Sequence, residues 1–213
     1  MPTKKLTNFD IYFITDSSLT KTPVISQVKQ ALNSGVKILQ YREKKLSTLE
    51  MYKSAMDIKK LTNGKAIFII NDRIDICLAV DADGVHLGDD DIPYLYARKL
   101  LRKKIIGLST HNLEEALFSE KIGADYISIG PIYPTTTKPK HKSPVGTEII
   151  KEISKKIKIP YVAIGGINET NIEVVLSAGA KNVAMISAIL TKKDIKKELR
   201  KYQNYFLTLR GIK

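Results

Sequence analysis

The sequence predicts a single closed α/β barrel in which eight parallel strands alternate with helices, the (β/α)8 or TIM barrel. Eight short β-rich runs recur along the chain, each followed by a polar or glycine-containing turn and then by helical spacing. Unusual polar residues follow nearly every run, as expected when the loops at one barrel face form a site. The 213 residues are near the lower limit for a complete barrel, so we assign residues 1–213 to one domain. An open doubly wound sheet is the alternative fold.

Each predicted element rests on its own residue pattern. The strands are expected where β-branched and aromatic residues cluster: Ile11–Thr15, Val36–Tyr41, Ile67–Ile70, Gly84–Leu87, Ile105–Leu108, Tyr126–Ile129, Tyr161–Ile164 and Asn182–Ile186. Helices are expected where apolar residues lie three or four positions apart: Val24–Asn33, Thr48–Thr62, Leu113–Ile122, Glu169–Ala178 and Asp194–Tyr205. Ser47 followed three residues later by Glu50 fits a capping box at the start of the second helix.

A weak internal repeat supports the same architecture. A helix end passes into a strand in residues 35–38, 81–85, 123–127 and 179–183, which mark every second strand. Glycine begins three of these segments, and glycine after a helix accepts the left-handed conformation that closes the last turn. The repeat is therefore a structural requirement and carries no information about chemistry.

Composition limits the class of protein. No apolar run approaches the roughly 20 residues of a membrane helix, and residues 1–7 have no apolar signal segment. Cys77, the only cysteine, lies in an apolar stretch, where a buried and inert thiol is expected. We therefore expect a soluble cytoplasmic protein. The sequence leaves the oligomeric state open and allows a homo-oligomer.

The net charge of +13 would suit an anionic macromolecule, but the basic residues are dispersed along the predicted helices. Residues 98–104, 151–158 and 192–201 are examples, and solvated helix faces explain most of them. The chain has no recognised nucleic-acid motif and no clear series of stacking aromatic residues. Binding to nucleic acid is therefore only a distant alternative.

Polar residues collect at the predicted carboxyl ends of the second, third and fourth strands. Gln40, Arg42 and Lys44 occupy alternate positions, so they would point to one side and could hold an anion; a solvated loop with Glu43 as partner is an equal alternative. Asn71-Asp72 follows the third strand, and Asp91 ends an acidic run after the fourth. Acids there could cap helices, but two oxygen ligands from neighbouring loops also suit Mg²⁺ when substrate phosphates complete its shell.

The later loops also carry polar groups. Ser109 follows the fifth strand, and the proline-rich segment 130–138 after the sixth offers three threonines and a lysine as donors to a diphosphate. Gly165-Gly166 and Ser187 follow the seventh and eighth strands, where barrels often bind phosphate. A flexible loop is the alternative for residues 130–138, although the three prolines from Pro131 to Pro139 oppose it.

Six stretches of the sequence resemble those of thiamine-phosphate synthases, and the resemblance runs from about Ile11 to Ala188. The stretches are Tyr12-Phe13-Ile14-Thr15-Asp16, Gln40-Tyr41-Arg42-Glu43-Lys44, Ile70-Asn71-Asp72-Arg73, Ala82-Asp83-Gly84-Val85-His86-Leu87-Gly88, residues 130–138 and Ala163-Ile164-Gly165-Gly166-Ile167. The departures are small, such as Tyr41 where an aliphatic residue is usual. None removes a functional group considered above.

The resemblance implies a role for each matching position. Asp72 and Asp91 would bind Mg²⁺, and Arg42, Lys44 and Lys138 would act in catalysis. Contacts to the pyrimidine diphosphate would come from Gln40, Arg42, Lys44, Asn71, Ser109 and Lys138. Thr135 and Thr137 match positions near the thiazole phosphate. Gly166, Ile186 and Ser187 match the backbone that binds phosphate in the family.

The resemblance also implies a reaction. A pyrimidine diphosphate and a thiazole phosphate, with or without a carboxylate on the thiazole, would give thiamine phosphate and pyrophosphate through a dissociative carbocation step. That chemistry needs no general base, so we assign no catalytic role to the three histidines, His86, His111 and His141. The related thiazole tautomerase is the alternative enzyme; it needs neither a diphosphate nor Mg²⁺, so the retained Asp72, Asp91, Lys44 and Lys138 argue against it.

Overall fold

The structure is a computed structural model that describes residues 6, 9–135, 137 and 142–211. It contains eight strands: β1 Asp10–Ile14, β2 Ile38–Tyr41, β3 Ile67–Asn71, β4 Gly84–Leu87, β5 Ile105–Thr110, β6 Tyr126–Ile129, β7 Tyr161–Ile164 and β8 Asn182–Met185. Every neighbouring pair is parallel, and β8 pairs with β1, so the sheet closes. The predicted (β/α)8 barrel is confirmed.

Helices follow the strands around the outside of the barrel. Their bounds are α1 Val24–Asn33, α2 Thr48–Thr62, α3 Ile74–Ala79, α4 Tyr94–Leu101, α5 Leu113–Lys121, α6 Glu148–Lys156, α7 Ile172–Ser177, α8 Ser187–Leu190 and α9 Ile195–Leu209. The prediction of a helix from residue 169 begins three residues too early. Asn168 accepts a hydrogen bond from the backbone of Thr170, and Asn171 accepts one from the backbone of Asn168, so these side chains hold a turn ahead of α7.

Alternation along the strands separates an outer from an inner core. Outward residues such as Leu39, Phe68 and Ile127 pack under the helices. A second cluster fills the barrel interior: Tyr12, Ile14, Ile38, Ile69, Ile105, Tyr126, Val162 and Ala184. The period of two therefore decides which side chains can reach the barrel mouth.

Local signals in the sequence have the expected structural consequences. Ser47 accepts from the backbone of Glu50, and the Glu50 carboxylate accepts from the backbone of Ser47, which completes the predicted capping box. Gly35, Gly123 and Gly179 all have positive φ. Asp81, which begins the second copy of the repeat, also adopts a positive φ of 51°. The repeat is therefore a repeat of backbone conformation, which aspartate can adopt at some cost.

Two further expectations concern burial. Cys77 is fully buried, and burial raises the pKa of its thiol to about 12, in agreement with an inert thiol. Within the described ranges, no helix combines the length and apolar character needed to cross a membrane.

Gly107 is required by the size of a neighbouring aromatic ring. A Cβ atom at this position would lie 2.1 Å from the ring of Tyr126 and 2.5 Å from its hydroxyl oxygen. The missing side chain on β5 thus makes room for the tyrosine of β6 inside the barrel. From there its hydroxyl reaches Tyr12 on β1, a strand that is not its neighbour, with 2.7 Å between the two oxygens.

We expect Gly107→Ala to destabilise the protein by about 1–3 kcal/mol, because the added methyl group overfills a packed interior. Urea unfolding followed by circular dichroism would measure the change. Repeating the substitution in a Tyr126→Ala background is the control, because the clash with the ring is then gone. An equal cost in both backgrounds would show that the clash is not the cause.

Candidate active site

The carboxyl ends of the eight parallel strands meet at one mouth of the barrel, where the predicted site residues follow their strands. Gln40 lies near the end of β2, Asn71 ends β3 and Ser109 is the penultimate residue of β5. Gln40 and Asn71 are buried, and Ser109 is half-buried. The structure therefore places these three predicted residues near the carboxyl ends of β2, β3 and β5, at one barrel face.

Arg42 is held by a buried ion pair that the sequence analysis did not predict. Its guanidinium donates to the carboxylate of Asp16, which follows β1, and only 9% and 4% of the two side chains are exposed. The Arg42 backbone also donates to the Thr15 hydroxyl at 3.1 Å. The only signal in the sequence was an acid directly after the first strand. Glu43 accepts from backbone amides in its own loop, so it is not the partner of Arg42.

Lys44, Asp72 and Asp91 form one charged cluster beside this pair. The Lys44 ammonium forms an ion pair with Asp72, and the carboxyl group of Asp91 lies near that of Asp72. Asp72 has a positive φ of 62°, and its backbone amide donates to the carbonyl of His86 at 2.9 Å. The strained backbone therefore occurs at the residue whose carboxylate pairs with Lys44 in this cluster.

Neither acid caps the helix that follows it, which removes the structural alternative considered from the sequence. The N-cap of α3 is Arg73, and the N-cap of α4 is Pro93. Asp91 instead accepts a hydrogen bond from the backbone of Gly88 at 2.7 Å, within its own loop. Both carboxylates therefore remain available to the barrel mouth.

The two carboxyl groups suit a divalent cation. Burial, followed by the neighbouring charge of Asp72, raises the pKa of Asp91 to about 6. Two carboxylates this close repel each other, and a cation between them would relieve the repulsion. Among the described residues, no group of three or more His, Cys, Asp or Glu side chains could hold a metal. A pair of oxygen ligands matches Mg²⁺, which keeps several waters and binds substrate phosphates.

Asp89, an earlier acid of the same loop, has other contacts. Asp89 forms an ion pair with Lys142 and lies 3.4 Å from the ring of His111. The His111 ring also contacts the backbone carbonyl of Gly130. These contacts connect the loop after β4 with the loops after β5 and β6, so they shape the rim of the mouth.

The paired glycines after β7 have a structural cause that the sequence did not reveal. Gly165 and Gly166 have φ values of 100° and 64°, and added Cβ atoms would lie 2.5 Å from Pro131 and from the carbonyl oxygen of Pro134. The loop after β6 therefore packs directly on this turn. The glycines are needed for that contact, whatever their role toward a ligand.

The rest of the predicted phosphate region lies on the loops after β6 and β8. The Thr135 hydroxyl is 3.3 Å from the hydroxyl of Thr137. Ile186 follows β8, and the exposed residue Ser187 begins the short helix α8. An extra short helix at this position is a recurrent part of phosphate sites in barrels. Lys138, predicted to bind the diphosphate, and His141 lie outside the described residues.

Comparison with known proteins identifies the family. The family described as Thiamine monophosphate synthase matches residues 11–189. The thiamine-phosphate synthase of Methanosarcina barkeri is 49% identical over 205 residues, which cover 96% of this chain and 91% of that protein. The Methanosarcina mazei thiamine-phosphate synthase is 48% identical, with 97% and 86% covered.

A solved structure agrees with this relationship. The thiamine phosphate pyrophosphorylase from Pyrococcus furiosus superposes with a TM-score of 0.87 at 38% identity, over 95% of this chain and 97% of that chain. Family, sequence and fold thus coincide over nearly the whole length. The chain belongs to the thiamine monophosphate synthase family.

Proposed function

We propose that the protein is a Mg²⁺-dependent transferase that makes thiamine phosphate and pyrophosphate. Its substrates are 4-amino-2-methyl-5-hydroxymethylpyrimidine diphosphate and 4-methyl-5-(2-hydroxyethyl)thiazole phosphate, or the carboxylated form of the thiazole. One observation carries the proposal: Arg42, Lys44 and the carboxyl pair of Asp72 and Asp91 lie together at the barrel mouth. Cations beside a metal-binding pair are what a diphosphate leaving group requires.

The residues divide between the two substrates. Arg42 and Lys44, with Lys138 from the loop after β6, bind the diphosphate, and Gln40, Asn71 and Ser109 bind the pyrimidine half. Thr135, Thr137, Gly166, Ile186 and Ser187 bind the thiazole phosphate. Apart from Lys138, the division follows strand order, with the pyrimidine diphosphate at β2 to β5 and the thiazole phosphate at β6 to β8.

The chemical step depends on holding the departing anion. Breaking the bond between the pyrimidine methylene carbon and the diphosphate oxygen leaves a carbocation, which the ring amino group stabilises by electron donation. Arg42, Lys44 and Lys138 stabilise the charge that develops on pyrophosphate. The thiazole nitrogen then attacks the methylene carbon. That nitrogen becomes quaternary and loses no proton, so no histidine acts as a general base.

Asp72 and Asp91 would hold the Mg²⁺, which when bound would neutralise part of the diphosphate charge. The ion pair between Lys44 and Asp72 connects one of the two proposed Mg²⁺ ligands with a residue that binds the diphosphate. The related thiazole tautomerase reaction uses neither a diphosphate nor a metal. It would therefore need neither the diphosphate-binding cations nor the carboxyl pair of Asp72 and Asp91. The partners are therefore small anionic molecules rather than nucleic acid.

Mixing the two substrates with the purified protein and Mg²⁺ should release pyrophosphate and form thiamine phosphate in equal amounts. A coupled pyrophosphate assay and chromatography of the product would measure both. The single-substrate mixtures are the controls. Isomerisation of a thiazole carboxylate without release of pyrophosphate would favour the tautomerase and contradict the proposal.

Asp72→Asn combined with Asp91→Asn should raise the Mg²⁺ concentration needed for half-maximal activity by at least about tenfold, because both anionic ligands are lost. Titration of activity with Mg²⁺ at saturating substrate would measure the shift. Asp89→Asn is the matched control, because this acid of the same loop pairs with Lys142. An unchanged Mg²⁺ titration of the folded double variant would refute the metal assignment.

Asp16→Asn should lower kcat/KM for the pyrimidine diphosphate about tenfold or more, because Arg42 loses the charge that orients it. Loss of one partner of a buried pair should also cost about 3–5 kcal/mol of stability, measured by urea unfolding. Asp57→Asn is the control, because Asp57 pairs with Lys60 on the exposed surface of α2. Normal kinetics in folded Asp16→Asn protein would show that the pair has no part in binding or catalysis.

A further inference from the structure

A chain of buried hydrogen bonds crosses the barrel interior just below the mouth. The Gln40 amide nitrogen donates to the Tyr12 hydroxyl at 3.0 Å, and the hydroxyl oxygens of Tyr12 and Tyr126 are 2.7 Å apart. Nδ1 of His86 is 2.9 Å from the Tyr126 hydroxyl, and its Nε2 is 3.1 Å from the hydroxyl of Ser109. The chain therefore connects β2 with β5 through side chains of β1, β6 and β4.

The order of donors along this chain is determined at its Gln40 end. The Gln40 amide nitrogen can only donate, so Tyr12 accepts there and directs its own proton to Tyr126. Tyr126 then donates to Nδ1 of the His86 ring. Burial raises the pKa of both phenols above the ordinary value, so each hydroxyl keeps its proton.

The same logic determines the tautomer of the histidine. A ring whose Nδ1 accepts a hydrogen bond carries its proton on Nε2. That proton is directed to the Ser109 hydroxyl, with the Ser128 hydroxyl 3.3 Å away. Ser109 is thus an acceptor toward His86 and keeps its own proton for a ligand.

We infer that Tyr12, Tyr126 and His86 are positioning residues that set the hydrogen-bond polarity of the pyrimidine pocket and so select an aminopyrimidine over an oxopyrimidine. With its amide nitrogen directed to Tyr12, Gln40 presents its carbonyl oxygen, an acceptor, to the exocyclic amino group. Ser109 presents a hydroxyl donor to a ring nitrogen. The inference rests on the proposed function, since it concerns how the pyrimidine half is recognised.

An oxopyrimidine offers the opposite pattern. Its carbonyl oxygen would face the Gln40 carbonyl oxygen, so two acceptors would meet with no proton between them. Gln40 cannot reverse its amide without losing its donor bond to Tyr12. Discrimination against the oxo compound therefore depends on phenols that need not touch the substrate.

The test compares the binding of the 4-amino pyrimidine diphosphate and its 4-oxo counterpart by calorimetry, with Mg²⁺ and without the thiazole phosphate. The wild-type protein should bind the amino compound more tightly. Tyr126→Phe should reduce that preference about tenfold, because the chain is cut in its centre. Affinity for pyrophosphate alone should not change, since the variant leaves the diphosphate-binding residues in place.

Tyr161→Phe is the matched control for these measurements. Tyr161 is also a buried tyrosine on a barrel strand, and its hydroxyl donates to the Gly179 carbonyl at 2.6 Å. It packs in the outer cluster, away from the chain of hydrogen bonds. This variant should keep the full preference for the amino compound.

A spectroscopic readout separates positioning from mere stability. Nitrogen-15 spectra of the histidine rings, assigned with a His86→Asn variant, should show His86 in wild type with its proton on Nε2. The sequence has only three histidines, so the spectra are simple. Tyr126→Phe should shift His86 toward the other tautomer. Tyr12→Phe should also reduce the preference for the amino compound, because the Gln40 amide nitrogen then loses its acceptor.

The outcomes distinguish this inference from the proposed function. If wild-type protein binds neither pyrimidine diphosphate, the proposed function fails. If wild type prefers the amino compound but folded Tyr126→Phe and Tyr12→Phe keep that preference, the positioning role is wrong. A wild-type His86 proton found on Nδ1 would also overturn it. If Tyr126→Phe does not fold, Tyr12→Phe decides the question.

Discussion

Closure of the sheet is the constraint on which the site depends. Because β8 pairs with β1, side chains from distant parts of the sequence follow strands that end at one rim. Asp16 and Arg42 are 26 positions apart in sequence, yet they form a buried ion pair because β1 and β2 are neighbours. Lys44 and Asp72 meet for the same reason across β2 and β3. An open sheet would have edge strands, and its loops would not surround a common centre.

The two ion pairs at the rim differ in how readily they can be exchanged. The pair between Arg42 and Asp16 is buried, so separating it would leave an uncompensated charge in the interior. The Lys44 side chain is 53% exposed, and an exposed pair contributes little, so its ammonium can leave Asp72 for a phosphate at small cost. Arg42 is therefore a fixed cation at the mouth, and Lys44 is a movable one.

The sequence predicted elements more reliably than contacts. Short runs rich in β-branched and aromatic residues located all eight strands, because each strand of the closed barrel packs on both of its faces. Motifs placed Gln40, Asn71 and Asp72 near the ends of their strands. The sequence could not show that Asp16 neutralises Arg42, since that contact exists only after β1 and β2 pair. Nor could it explain Gly165-Gly166, whose cause is the packing of the loop after β6.

The barrel interior shows how packing and recognition depend on each other. Tyr126 can lie across the interior only because Gly107 has no side chain beside it. From that position its hydroxyl contacts both Tyr12 and His86, which stand on strands that are not its neighbours. Buried polar groups without partners are costly, so the Tyr12 hydroxyl needs Tyr126 as its acceptor, and the Tyr126 hydroxyl needs His86. Gly107 therefore does more than allow packing: it lets Tyr126 hold the direction of the hydrogen bonds that reach the pyrimidine pocket. A side chain at position 107 would alter ligand selection because it would displace Tyr126.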